Sequence, residues 1–221
     1  MIFAYWCCSN RYNFARHYNR WGKRVLAICG VKLTVIGKEN INEGKTYIYA
    51  SNHTSQFDIP IIYSAIDSKV AIIYKKELEK VPFFGWMLHF SYFISIDRSD
   101  SRKAMESVIE ALRLIKDGVG IIIYPEGTRS PDGKVQDFKR GAFLIAAKSG
   151  QPVIPVTIAG SNEIMPKDTL FFKSSKVCVV FHPEVIFPPN MSKQEEAEKI
   201  EEIRQTVISG FEKAKKHLAI S

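Results

Sequence analysis

Residues 46–66 read Thr46-Tyr-Ile-Tyr-Ala50, then Ser51-Asn-His-Thr-Ser-Gln-Phe-Asp58, then Ile59-Pro-Ile-Ile-Tyr-Ser-Ala-Ile66. The first block is a short β-branched and aromatic run, the second a polar loop, the third an apolar helical stretch. Strand, loop and helix in that order form the repeating unit of an α/β sheet. The same alternation continues in both directions. Strands are expected at Lys32–Ile36, Thr46–Ala50, Val70–Tyr74, Phe93–Ile96, Gly120–Tyr124, Val153–Ile158 and Lys176–Phe181, and helices at Arg11–Cys29, Ile59–Ile66, Arg102–Asp117, Gly141–Lys148 and Lys193–His217. Asp117-Gly118 supplies a helix stop, and Pro188-Pro189 breaks the chain before the last helix. The expected architecture is one α/β domain over residues 31–221, with a central mixed, largely parallel sheet flanked by helices. An amphipathic helical segment, residues 1–30, precedes it.

The chain has 221 residues, 46% of them hydrophobic and 24% charged, enough to bury a sizeable core and unlike a disordered or fibrous protein. Its net charge of +8 is unevenly placed. Residues 1–38 carry Arg11, Arg16, Arg20, Lys23, Arg24, Lys32 and Lys38 and no acid, leaving 24 basic and 23 acidic residues beyond. The excess therefore belongs to one end of the molecule and points to an anionic surface met there. On a helical wheel Phe14, Tyr18, Trp21, Val25 and Ile28 fall within a sector of roughly 80°, with Arg16, Arg20, Lys23 and Arg24 centred roughly 135° away. Packing on the domain and docking on lipid both suit such a helix; aromatic and basic enrichment favours the lipid interface. No nucleic-acid-binding motif accompanies the basic residues.

The longest stretch without a formal charge, Val81 to Ile96, has 16 residues and is broken by Pro82 and Gly85. A bilayer-spanning helix needs about 20 mostly apolar residues, so no transmembrane helix is expected. The opening MIFAYWCC lacks the basic lead-in and cleavage site of a secretory signal. Four cysteines, Cys7, Cys8, Cys29 and Cys178, form neither a disulfide framework nor a metal-binding spacing, which suits a reducing cytosolic setting. The five histidines are also scattered, and no metal site is expected.

Two polar loops hold the candidate chemistry. His53 follows a buried strand, where an α/β sheet tends to expose functional groups, and a neutral imidazole can accept a proton from a hydroxyl. Asp58, five residues on, can fix the imidazole tautomer and stabilise the imidazolium formed during transfer. It can equally be no more than a helix N-cap, and the pair alone leaves both readings open. The second loop, Tyr124-Pro-Glu-Gly-Thr-Arg-Ser130, follows the strand around Ile121–Ile123. Gly127 permits an unusual turn, Thr128 and Ser130 bring hydroxyls, and Arg129 can grip a phosphate with two N–H groups. A plain β-turn with polar residues fits the same letters. Arg98, in Ile94-Ser-Ile-Asp-Arg98, closes a third strand and can face the same edge or simply pair with Asp97.

Taken together these residues resemble the lysophosphatidate acyltransferase family. His53 to Asp58 is similar to its His-x4-Asp box, Ile94 to Arg98 to its second block, Glu126-Gly127-Thr128-Arg129 to its EGTR block, and Val153-Ile154-Pro155-Val156 to its fourth. Lys76-Glu77-Leu78, followed by Pro82-Phe-Phe-Gly-Trp86, is also similar, and the likeness spans roughly residues 20 to 190. The resemblance implies transfer of an acyl group from a thioester of coenzyme A or acyl carrier protein to the free sn-2 hydroxyl of lysophosphatidic acid, giving phosphatidic acid. It implies His53 as general base and Asp58 as its orienting partner. Lys76, Arg98, Glu126, Gly127, Thr128 and Arg129 would bind substrate, with Lys76 near the reacting carbonyl and Pro155 shaping the acyl-donor side. No metal or prosthetic group is implied. The family's long apolar N-terminal segment has no counterpart beyond MIFAYWCC, so the expectation is peripheral or monotopic attachment to the cytoplasmic face of an anionic membrane through residues 1–30. Acylation of another lysolipid, thioester hydrolysis and a non-catalytic membrane-docking module are the competing readings. The last predicts that His53→Ala leaves function intact.

Overall fold

The computed structural model of the chain describes residues 11–80, 93–97, 100–165, 171–188 and 190–220. In chain order these form helix α1 (Arg11–Ile28), strand β1 (Lys32–Ile36), β2 (Ile48–Ser51), α2 (Asp58–Ala65), β3 (Val70–Lys75), β4 (Ile94–Ile96) and α3 (Ser101–Lys116). There follow β5 (Gly120–Ile123), α4 (Leu144–Ser149), β6 (Val153–Ala159), the single turn α5 (Ser161–Ile164), β7 (Lys176–Phe181) and α6 (Lys193–Ile220). The expected ends agree to within about three residues, and α3 stops where Gly118 turns left-handed at φ 75°.

The sheet order is β1-β7-β6-β2-β5-β3-β4. Strands β6, β2, β5, β3 and β4 pair in parallel, while β7 runs antiparallel to β6 and carries β1 parallel beside it. Every residue of β2, β5 and β6 is buried, which is why these strands read as unbroken apolar runs and not as alternating ones. Side chains still alternate between the two faces. Tyr47 and Tyr49 join a core under α1 and α2, whereas Ile48 and Ala50 join a second core under α3, α4 and the first half of α6.

α1 closes on α2 through a seam of Tyr18, Gly22 and Leu26, all buried. A Cβ at Gly22 would lie 2.6 Å from both Pro60 O and Ser64 Oγ, two atoms already hydrogen-bonded to each other at 2.6 Å. Glycine is what lets the helices touch. Gly22→Val is therefore expected to lift α1 and cost about 1–3 kcal/mol, read as a lower denaturation midpoint. The apolar stripe of the helical wheel is thus only partly used: Tyr18 packs and Val25 packs in part, while Trp21 stays 37% and Ile28 83% exposed. The side chains of residues 11–17 lie outside the described ones. Among the described residues no helix is long and apolar enough to cross a membrane.

Candidate active site

Both polar loops leave the carboxyl edge of the parallel strands, one after β2 and the other after β5, its immediate neighbour. The β2 loop is fixed residue by residue. Asn52 accepts the Ile158 N–H at 2.8 Å and donates to the Ile158 carbonyl at 2.9 Å, tying the end of β2 to β6. Thr54 Oγ1 meets Ser161 Oγ at 2.8 Å, and Ser55 Oγ donates to Met165 O at 2.8 Å. Gly160, at φ 89°, turns the chain out of β6 into the single helical turn that supplies those partners.

Asp58 opens α2 with its side chain fully buried, and its Oδ2 lies 2.7 Å from His53 Nδ1. The same oxygen accepts the N–H groups of Thr54 at 2.7 Å and Ser55 at 2.9 Å. Those donors belong to the loop before the helix, so Asp58 does not act as the N-cap that the spacing also allowed. An ionised carboxylate accepts only, which fixes the proton on Nδ1 and leaves Nε2 as the acceptor. His53 retains 18% side-chain exposure, enough to meet a substrate hydroxyl, while its partner is shut away from water.

The β5 loop holds the histidine from the other side. Glu126, 2% exposed, accepts the His53 N–H on Oε1 at 2.7 Å and the Gln136 N–H on Oε2 at 3.1 Å. Ser130 N–H donates to His53 O at 2.8 Å, so both backbone polar groups of the histidine end on this loop. Burial pushes the Glu126 carboxyl up to about 7, against the two N–H bonds, which pull it down. This carboxylate is turned into the protein and positions His53 instead of facing a ligand. Gly127 takes φ 78° with its N–H on Tyr124 O at 3.0 Å, leaving Thr128 exposed and Arg129 half-buried next to Ser130. Among the described residues no carboxylate pairs with Arg129.

Lys76 is brought to the same sheet edge, exposed directly after β3 at the start of a 3-10 turn (Lys76–Lys80), but it forms neither a hydrogen bond nor an ion pair with His53 or Asp58. Arg98 and the Pro82-Phe-Phe-Gly-Trp86 stretch lie outside the described residues. Pro155 is buried in β6 opposite Ala50, where it shapes the sheet beneath the site. One participant carried no sequence signal of its own: the Tyr124 ring stacks on the His53 imidazole, centroids 4.2 Å apart and planes 23° from parallel. Burial, with the Asp58 charge adding to it, pushes the phenol well above its usual range, and its enclosed hydroxyl finds no hydrogen-bond partner among the described residues. Tyr124→Ala is expected to lower kcat by about tenfold to a hundredfold through a loosened imidazole. Tyr124→Phe should keep most of the rate, because stacking and not the hydroxyl holds the ring. Equal losses in the two variants would assign the effect to the hydroxyl.

An acyltransferase family model matches residues 32–159, more than half of the chain. A chloroplastic 1-acyl-sn-glycerol-3-phosphate acyltransferase of Brassica napus is 37% identical over 136 residues, 61% of this chain and 39% of its own length. The chain thus spans less than half the length of that relative. The 1-acyl-sn-glycerol-3-phosphate acyltransferase of Borreliella burgdorferi is 29% identical over 190 residues, 86% of this chain and 76% of its own. The crystal structure of the 1-acyl-sn-glycerophosphate acyltransferase PlsC from Thermotoga maritima superposes with a TM-score of 0.79 at 32% identity, covering 97% of this chain and 86% of that one. Because the family's matched stretch runs from β1 through β6 and encloses both the His53 and the Glu126 loops, the chain belongs to the acyltransferase family.

Proposed function

We propose that this protein transfers an acyl group from an acyl thioester to the sn-2 hydroxyl of 1-acyl-sn-glycerol-3-phosphate, giving phosphatidic acid. The observation that carries the reading is the 2.7 Å contact between His53 Nδ1 and the buried Asp58 carboxylate, which leaves Nε2 as the base on a side chain that keeps 18% exposure. Nε2 takes the hydroxyl proton as the oxygen attacks the thioester carbonyl. The C–S bond then breaks, and the imidazolium returns that proton to the departing thiolate. Arg129, with Gly127 and Thr128 of its loop and with Arg98, binds the acceptor phosphate. Lys76 steadies the oxyanion that develops on the carbonyl. Glu126 serves the same reaction by holding the His53 backbone. No step calls for a metal ion or prosthetic group, and the co-substrate is acyl-CoA or acyl carrier protein bearing the acyl chain.

The names of the relatives support this acceptor. Attachment to an anionic membrane surface, as a peripheral or monotopic protein on the cytoplasmic face, is supported by α1, which leaves Arg20, Lys23 and Arg24 exposed beside Trp21 and Ile28.

The test mixes purified protein, lysophosphatidic acid and either an acyl-CoA or an acylated carrier protein, and follows free thiol and phosphatidic acid together. Acceptor-dependent release of both is expected. Thiol release that ignores the acceptor would identify a thioesterase, and faster turnover of a lysolipid with a larger head group would change the substrate. No product from either donor sinks the proposal.

A further inference from the structure

The two most exposed large apolar side chains among the described residues, Phe171 and Ile28, lie in neighbouring segments. Ile28 at the end of α1 is 83% exposed, and Phe171 and Phe172, which lead into β7, are 88% and 55% exposed. The backbone brings these two places together. A Cβ on Gly30 would lie 3.1 Å from the Ser174 side chain, and Lys32 N–H donates to Ser175 O at 3.0 Å, so the turn after α1 runs alongside residues 171–175. On its other flank the Phe172 ring lies 6.0 Å from that of Phe57, the residue before Asp58. The aromatic pair therefore stands between the end of α1 and the His53–Asp58 loop. Its surroundings are mainly basic among the described residues: Arg24, Lys32, Lys173 and Lys176 are exposed, against one exposed carboxylate, Glu163, which accepts from Ser175 Oγ at 3.3 Å.

We infer that Phe171 and Phe172 are a second lipid-inserting point, which together with α1 seats the mouth of the His53 site on an anionic bilayer. Exposed aromatic rings bordered by lysines suit the headgroup boundary, where apolar burial and attraction to anionic lipid act together. Two separated contacts fix the tilt of the molecule, which a single helix lying in the interface leaves free to roll. An acceptor whose acyl chain stays in the bilayer could then present its hydroxyl to His53 without leaving the membrane. The inference rests on the membrane reading of α1 for the side on which the bilayer lies, but its test needs no catalysis.

The full chain is co-sedimented with vesicles of phosphatidylcholine containing phosphatidylglycerol. Phe171→Ser/Phe172→Ser is expected to lower partitioning roughly tenfold or more. Phe171→Ser alone, which leaves the Phe57–Phe172 contact in place, should account for much of that loss. Ile109→Ser removes a 60%-exposed apolar side chain from α3, on the other face of the sheet, and should leave partitioning unchanged. In Phe171→Trp, emission beyond that of the parent should be quenched by brominated lipid chains. Parent-like binding of both serine variants, an equal loss in Ile109→Ser, or unquenched added emission would each overturn the inference. A loss confined to Arg20→Glu/Lys23→Glu/Arg24→Glu would overturn it while leaving the reading of α1 standing.

Discussion

Replacing Asp58 by Asn is expected to lower the acyl-transfer rate by about three to four orders of magnitude while the chain stays folded. The carboxylate oxygen Oδ2 serves three donors at once, the His53 ring and the Thr54 and Ser55 amides. An amide oxygen in its place can still accept from the backbone, but it is neutral and would not stabilise the imidazolium that the proposed transfer forms on His53. If the amide turns its NH2 toward the ring, the proton is forced onto Nε2 and the base is lost. Asp58→Ala goes further, since buried donors are left without an acceptor, and should also lower the stability by about 2–4 kcal/mol. The measurement is kcat with an acyl thioester and lysophosphatidic acid, alongside a melting curve. A rate for Asp58→Asn within tenfold of the parent would remove Asp58 from the mechanism.

Glu126→Ala is expected to take stability and rate together, because the N–H groups of His53 and Gln136 lose the carboxylate that they share. About 2–4 kcal/mol of stability should go, together with roughly a hundredfold in kcat as the histidine backbone shifts. Glu126→Gln keeps one acceptor and should sit between the two. The sign of its pH dependence follows from the direction of the shift. The folded carboxyl titrates at about 7 against an ordinary 4.5, so folding is helped most below 4.5 and that help is lost as the pH rises toward 7. The melting advantage of the parent over Glu126→Gln should therefore shrink across that window. His182 pulls the other way. It shares a 2.9 Å hydrogen bond with Thr157, which itself donates to Val207 O on α6 at 3.1 Å. Burial, helped by Lys213, lowers the ring from 6.5 to about 4. Its contribution is complete above 6.5 and is lost as the pH falls toward 4, so the parent's advantage over His182→Gln should grow with rising pH.

The parts of this molecule that were legible in the sequence are those with a local signature. β5 and β6 announce themselves by unbroken β-branched runs, α3 by its Asp117-Gly118 stop, and the His53–Asp58 pair by its spacing beside a strand. What the sequence left hidden depends on partners far along the chain. That β7 runs against β6 is invisible, because a buried apolar strand reads alike in either direction. The Glu126 clamp joins a carboxylate to an amide 73 residues away, and no residue type at position 53 advertises a backbone N–H. Tyr124 stacks on His53 because β5 lies beside β2, a neighbour relation that the sequence does not carry. On α1 the hydrophobic pattern put Trp21 and Ile28 in one stripe with Tyr18. It counts apolar letters, whereas packing was decided at Gly22, where the lack of a side chain allowed the closest approach.

The pairing of β1 with β7 has a consequence for any shortened form of the protein. Strand β1 is one of the two edge strands of the sheet, held residue for residue from Lys32 opposite Lys176 to Ile36 opposite Val180. Cutting the chain after Gly30 keeps that pairing, whereas cutting after Lys38 strips it away. The Lys-Val-Cys-Val-Val-Phe run of β7 would then present a bare row of amide and carbonyl groups, apolar and without a proline, as a template for other chains. Both truncations bare the apolar face that α1 covers, and the longer one should scatter light faster on standing than the shorter, because it alone also strips β7. What the short strand after α1 supplies is a cover that keeps β7 from recruiting further copies of itself.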